Sequence, residues 1–149
     1  MPRTIEGITY DAIAWDVREF RDETSSQPPG VPVQVQQSVK MDWETSAARR
    51  QIFARLTMEF VNRNSSTSLL RVVLVGQFSV NAAGRDALHG DMAGLPPSVW
   101  IAMAREVYDT ARGLVLAQCK NLKQVGIPTV PDEAFSVGLG PDVYGLSPN

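Results

Sequence analysis

"VQQSVKMDWET", residues 35–45, alternates in the way a half-buried strand does. Val39, Met41 and Trp43 share one parity, and Lys40, Asp42 and Glu44 share the other, so an extended chain here has an apolar side and a charged side. The apolar parity runs back through Val33 and Val35, which makes 31–45 the clearest period-two signal in the chain. That apolar side either closes a private core or is kept for another chain, and the stretch alone favours neither.

Three more segments read as strands. "GITYDAIAWDVREF" (7–20) places Ile13, Trp15 and Val17 on one face. "RQIFARLTMEFVN" (50–62) sets Ile52, Ala54, Leu56, Met58 and Phe60 against Phe53, Arg55, Thr57, Glu59 and Val61. "LLRVVLVGQFSV" (69–80) is apolar on both faces, the pattern of a central or doubly covered strand. Between them, "DETSSQPPG" (22–30) and "RNSSTS" (63–68) break regular structure, and "NAAGRDALHGDMAGLPP" (81–97) reads as one long connector.

A single long helix follows. In "PSVWIAMAREVYDTARGLVLAQ" (97–118), Trp100, Met103, Ala104, Val107, Tyr108, Ala111, Leu114 and Val115 keep the spacing of one broad apolar face. Pro96 and Pro97 suit a helix start. The helix ends either near Gly113 or near Val125, with Gly126 as the stop. "IPTVPDEAFSVGLGPDVYGLSPN" (127–149) leaves room for a short or vestigial second helix at 132–137, and from about 136 it reads as a Pro/Gly-rich tail. The expected architecture is one α+β domain over 1–149: a four-stranded antiparallel sheet followed by the long helix packed on one face. A helix is only about two strands wide. The apolar area it leaves uncovered, with Trp15, Met41 and Trp43, predicts oligomerisation.

Composition narrows the function. The 149 residues are 44% hydrophobic and 20% charged with a net charge of −2, an ordinary soluble profile without a basic run, so no nucleic-acid partner is expected. Cys119 is the only cysteine, the N-terminus lacks a leader pattern, and apolar runs such as Val72–Val75 are too short to span a bilayer. The expectation is a cytoplasmic protein with no membrane insertion. His89, the only histidine, lies in a Gly-rich connector near Asp91. Neither a metal-binding CxxC or HxxxH pattern nor a phosphate-binding glycine loop is present, so neither catalysis nor a cofactor or metal is expected.

The order of elements and several stretches resemble the SecB family of cytosolic export chaperones. "VKMDWET" (39–45) is similar to that family's second-strand pattern, and "GQFSV" (76–80) to the end of its fourth strand. "LPPSVWIAMAREVYDTARG" (95–113) resembles its long helix, with Ala104, Arg105 and Glu106 at the centre. "IPTVPDEAF" (127–135) looks like its proline-punctuated connector. The resemblance, over roughly 8–135, implies an ATP-independent holdase whose subunits join sheets and pack through their long helices into a homotetramer. It implies grooves that hold unfolded polypeptide clients, lined by Met41 and Trp43 from the second strand and by Leu114, Leu116, Ile127 and Val130 after the helix. Trp15 joins them here for its aromatic character. Two departures weaken the family's delivery of clients to the export ATPase SecA. Among positions matching its acidic patch, Asp16 is acidic but Ala12 and Arg71 are not, and the C-terminal extension is reduced to "GLGPDVYGLSPN". A dedicated antitoxin chaperone in a toxin–antitoxin system is the other form this resemblance allows. A non-catalytic scaffold oligomer, or a module binding a small apolar ligand, is the alternative outside the family.

Overall fold

The computed structural model describes residues 2–26, 34–88 and 94–119, together with a two-residue strand at 145–146. It is an α+β fold built on one curled antiparallel sheet. In chain order the strands are β1 (Arg3–Ile5), β2 (Ile8–Asp22), β3 (Val35–Ser46), β4 (Gln51–Asn62), β5 (Ser68–Val80) and β6 (Gly145–Leu146). Helices α1 (Ala82–Leu88) and α2 (Pro97–Gln118) follow β5. Across the sheet the order is β1-β2-β5-β4-β3-β6. Hairpins join β3, β4 and β5, and β2 returns beside β5, which is a Greek-key order. Four long strands stand as expected; the short β1 and β6 at the two flanks are additional.

Turn chemistry explains the hairpins. Glu6 and Gly7 both have positive φ, 50° and 79°, as a two-residue hairpin turn that matches the strand twist requires. Between β4 and β5, Asn62 folds the loop by accepting the Asn64 amide on its side chain at 2.9 Å, while its own amide reaches the Thr67 carbonyl at 2.8 Å.

Strand β5 is central; its helix-covered face is buried from Leu70 to Val80, and its other face is buried at Leu69 and Val73 and partly covered elsewhere. On the helix-covered face the register sets side chains in rows. One row is Met41, Leu56, Leu74 and Val17, and the next is Trp43, Ala54, Gly76 and Trp15. Helix α2 packs on β4 and β5, the two middle strands. Val99, Trp100, Met103, Ala104, Val107, Tyr108, Ala111 and Val115 form its buried side. Gly76 permits the approach: a Cβ there would lie 3.2 Å from Val107 Cγ2 and 2.7 Å from Trp15 Cζ3. The helix therefore sits in a trough of small residues, Ala54 and Gly76, with a tryptophan on each side.

Two details of the sequence reading change. The stretch 81–97 is not all connector, because Asn81 caps α1 by accepting the Gly84 amide at 3.0 Å and also donates to the Gly7 carbonyl at 3.1 Å. Gly84 lets α1 press on the sheet, since a Cβ there would lie 2.8 Å from Val80 Cβ. The long helix runs through Gly113, around which nothing lies within 4 Å of a would-be Cβ, and stops at Gln118. Cys119 then turns extended (φ −70°, ψ 127°), with its thiol 3.9 Å from the Thr24 hydroxyl beyond β2. The expected second helix at 132–137 lies outside the described residues.

Met41 is fully buried. Its row places it between the helix and the sheet, so the expectation that it lines a client groove is corrected: it is a core residue. Met41→Ala should lower the unfolding free energy by about 2–5 kcal/mol in urea melts, the cost of a cavity in a packed core.

Candidate functional site

Helix α2 leaves one flank of its own face uncovered. Strand β2 places Tyr10, Ala12, Trp15, Val17 and Phe20 on the helix-covered side, and its middle projects beyond α2. Trp15 is 39% exposed and Val17 46% exposed. Ile13, the extra residue of a bulge between Ala12 and Ala14, is 48% exposed. A second irregularity lies between Val17 and Glu19. These bulges switch the core-facing parity from even to odd at Trp15 and back to even at Phe20.

The outer edge of β2 makes the strip more than a scatter of apolar residues. β1 pairs only with Ile8–Tyr10, and among the described residues no strand lies on the outer edge of β2, away from β5, from Ile13 to Arg21. An extended chain placed there would meet backbone donors and acceptors together with apolar side chains. The Trp15 ring is held for such contact. It stands edge-on to Phe78, with ring centroids 6.0 Å apart and planes at 80°, over the flat seat of Gly76.

Among the described residues, the other expected groove residues do not join this strip. Trp43 is half-buried, packs against the core, and occupies the opposite end of the row that Trp15 begins. Three strand spacings, about 14 Å, separate the two, and α2 rises between them. Leu114 is partly buried against the core, whereas Leu116 is 48% exposed. Two positions along a helix differ by about 200°, so these leucines face nearly opposite ways. Ile127 and Val130 lie outside the described residues, as does His89. Val17 and Ile13 are the members of the strip that the site assignment from sequence missed, although their shared parity with Trp15 was visible.

The opposite face of the sheet is charged and internally paired. Arg71 Nε meets Glu19 Oε2 at 3.0 Å and Arg71 Nη1 meets Glu59 Oε2 at 3.6 Å; Ser68 donates to the same Glu59 oxygen at 3.0 Å. Arg18 contacts Asp16, and Lys40 lies 3.7 Å from Asp42. Arg18, Asp42, Phe53, Arg55 and Val75 border an open depression of 1040 Å³ there. Among the described residues no group of three or more His, Cys, Asp or Glu side chains is placed to hold a metal ion, and no helix is long and apolar enough to cross a membrane.

A polar cluster flanks α2 beside β1. Arg3, Ser98, Ala102, Glu106 and Thr110 border a depression of 670 Å³. Burial pushes the Glu106 carboxyl above its ordinary value, with Arg3 pulling the other way. Burial likewise raises the Tyr10 hydroxyl, again countered by Arg3. One Glu106 oxygen is buried with no hydrogen-bond partner among the described residues.

No protein family, no curated protein and no solved structure matches the chain.

A raised carboxyl binds its proton more tightly folded than unfolded, so its effect favours the fold in acid and is lost as pH rises through the folded value. Glu106→Gln should therefore raise the thermal midpoint at pH 7. The gap from the unchanged protein should close below about pH 4, where the unfolded-state carboxyl is also protonated. Melting curves across this range provide the check.

Proposed function

We propose that this protein is an ATP-independent holdase, a SecB-like chaperone that binds unfolded or aggregation-prone polypeptides. The observation that carries this reading is the strip of Ile13, Trp15 and Val17 beside an outer strand edge that, among the described residues, has no neighbour from Ile13 to Arg21. Such a surface suits affinity without sequence specificity, because an extended client offers backbone groups to the edge and any apolar side chain to Trp15. Each client side chain fully buried contributes roughly 1.5–3 kcal/mol. A few of them reach micromolar binding, about 8 kcal/mol, after ordering costs. Release then follows mass action, as the client folds or another partner takes it.

The protein acts as a homo-oligomer, with a tetramer favoured, in the cytoplasm. The outer side of α2, where Leu116 is exposed, supplies an assembly surface away from the strip. SecA or a toxin–antitoxin pair is the candidate downstream partner. The mixed charge around Arg71, already bound to Glu19 and Glu59, favours the second over a purely acidic docking patch.

A second reading has its own support. The charged side chains along the β2 edge alternate in sign: Asp16, Arg18, Glu19, Arg21. A second copy laid antiparallel on this edge would set acids against bases, which favours a non-catalytic scaffold oligomer joined through β2. The two readings diverge on one variant. A holdase suppresses the turbidity of an aggregating substrate at stoichiometric amounts without ATP, and Trp15→Asp should weaken that at least tenfold while native mass stays unchanged. A scaffold joined at β2 gives no suppression, and Trp15→Asp splits the oligomer.

A further inference from the structure

The sheet has a second long edge, β3, and a piece of this same chain sits on it. Gly145 pairs with Lys40 and Leu146 with Val39, antiparallel, so β6 occupies two residues of a strand twelve residues long. Strand edges invite strand addition, and proteins cover or charge them to prevent it. This edge carries both devices, the exposed Lys40 and Glu44 and the short β6.

The cover is built to be weak. Two residue pairs give few backbone hydrogen bonds, and a strand pair this short is marginal by itself. Gly145 brings no side chain to pack, and in the sequence Pro141 and Pro148 bracket the pair, each lacking an amide donor with which to lengthen the ladder. Met41 and Val39 point into the core, so recognition on β3 depends on its backbone and tolerates many sequences.

We propose that β6 is an intramolecular plug on the β3 edge, displaced when a longer extended polypeptide segment adds antiparallel to β3. The bound strand runs past Lys40 as β6 does and gains the β3 ladder positions that, among the described residues, β6 leaves unused. Being tethered, β6 competes at an effective concentration on the order of millimolar, so only segments offering more than two pairs displace it efficiently. The site is independent of the Trp15 strip and lies on the other flank of the sheet.

The test uses the full chain and, added in trans, a fluorescent peptide of residues 51–62, QIFARLTMEFVN, a sequence that pairs antiparallel with β3 over all twelve residues on its other edge and so offers more than two pairs. Replacing Gly145→Pro and Leu146→Pro together removes both β6 amides, and the peptide should then bind at least tenfold tighter than without the two prolines. Edge-facing amides of β3 should also exchange faster. Lys40→Cys with Gly145→Cys, in a Cys119→Ser background, joins directly opposed residues by a disulfide, whose Cα spacing such pairs meet. The oxidised form should not bind the peptide, and reduction should restore binding. Every protein compared carries Trp15→Asp, which removes binding of the peptide at the Trp15 strip, so the outcome at β3 is read separately from the holdase reading. Equal peptide affinity with and without the two prolines, or equal binding by oxidised and reduced forms, overturns it.

Discussion

One close approach organises this molecule: the seating of Val107 of α2 against Gly76 of β5. A helix can come down on a sheet only where side chains beneath it are small, and the Ala54–Gly76 pair supplies that place on the two middle strands. A single helix then covers the centre and cannot cover both flanks. The row that begins and ends in tryptophan records the outcome. Trp43 packs against the core on the β3 flank, while Trp15 leans on Phe78 at the β2 flank with much of its surface in solvent.

The two sheet edges differ for the same reason. On the β3 side the apolar parity is spent on the core, and what remains outside is backbone with Lys40 and Glu44, covered at two positions by β6. On the β2 side the apolar parity itself is left open. Bulges at Ile13 and after Val17 twist that edge, a device that discourages indiscriminate pairing while keeping Trp15 and Val17 presented. On the opposite face Arg71 forms ion pairs with Glu19 and Glu59, which ties three strands together.

Much of the site was legible in part. Trp15, Ile13 and Val17 stood out as one apolar parity, and the narrowness of one helix over four strands foretold an uncovered area. Which flank would be uncovered was not legible. Met41 and Trp43 carry the stronger period-two signal, yet Met41 is sealed, because alternation reports that one face is buried and not what buries it. Leu114 and Leu116 looked like one apolar segment but diverge around the helix. Helix α1 escaped notice because its seven residues include a glycine and are held by the Asn81 cap and contact with Val80, neither of which a periodicity scan weighs.

The sequence by itself determined the element types of β2 to β5 and α2, the antiparallel character of their hairpins, and the central place of the doubly apolar strand, because side-chain period and turn chemistry are local. Tertiary structure alone decided that β2 crosses to pair with β5, that its bulges reverse parity twice, and that α2 settles over Gly76 and leaves Trp15 outside. Those outcomes depend on contacts between residues far apart in the chain, where the fit of a ring over a glycine outweighs any preference written in neighbouring positions.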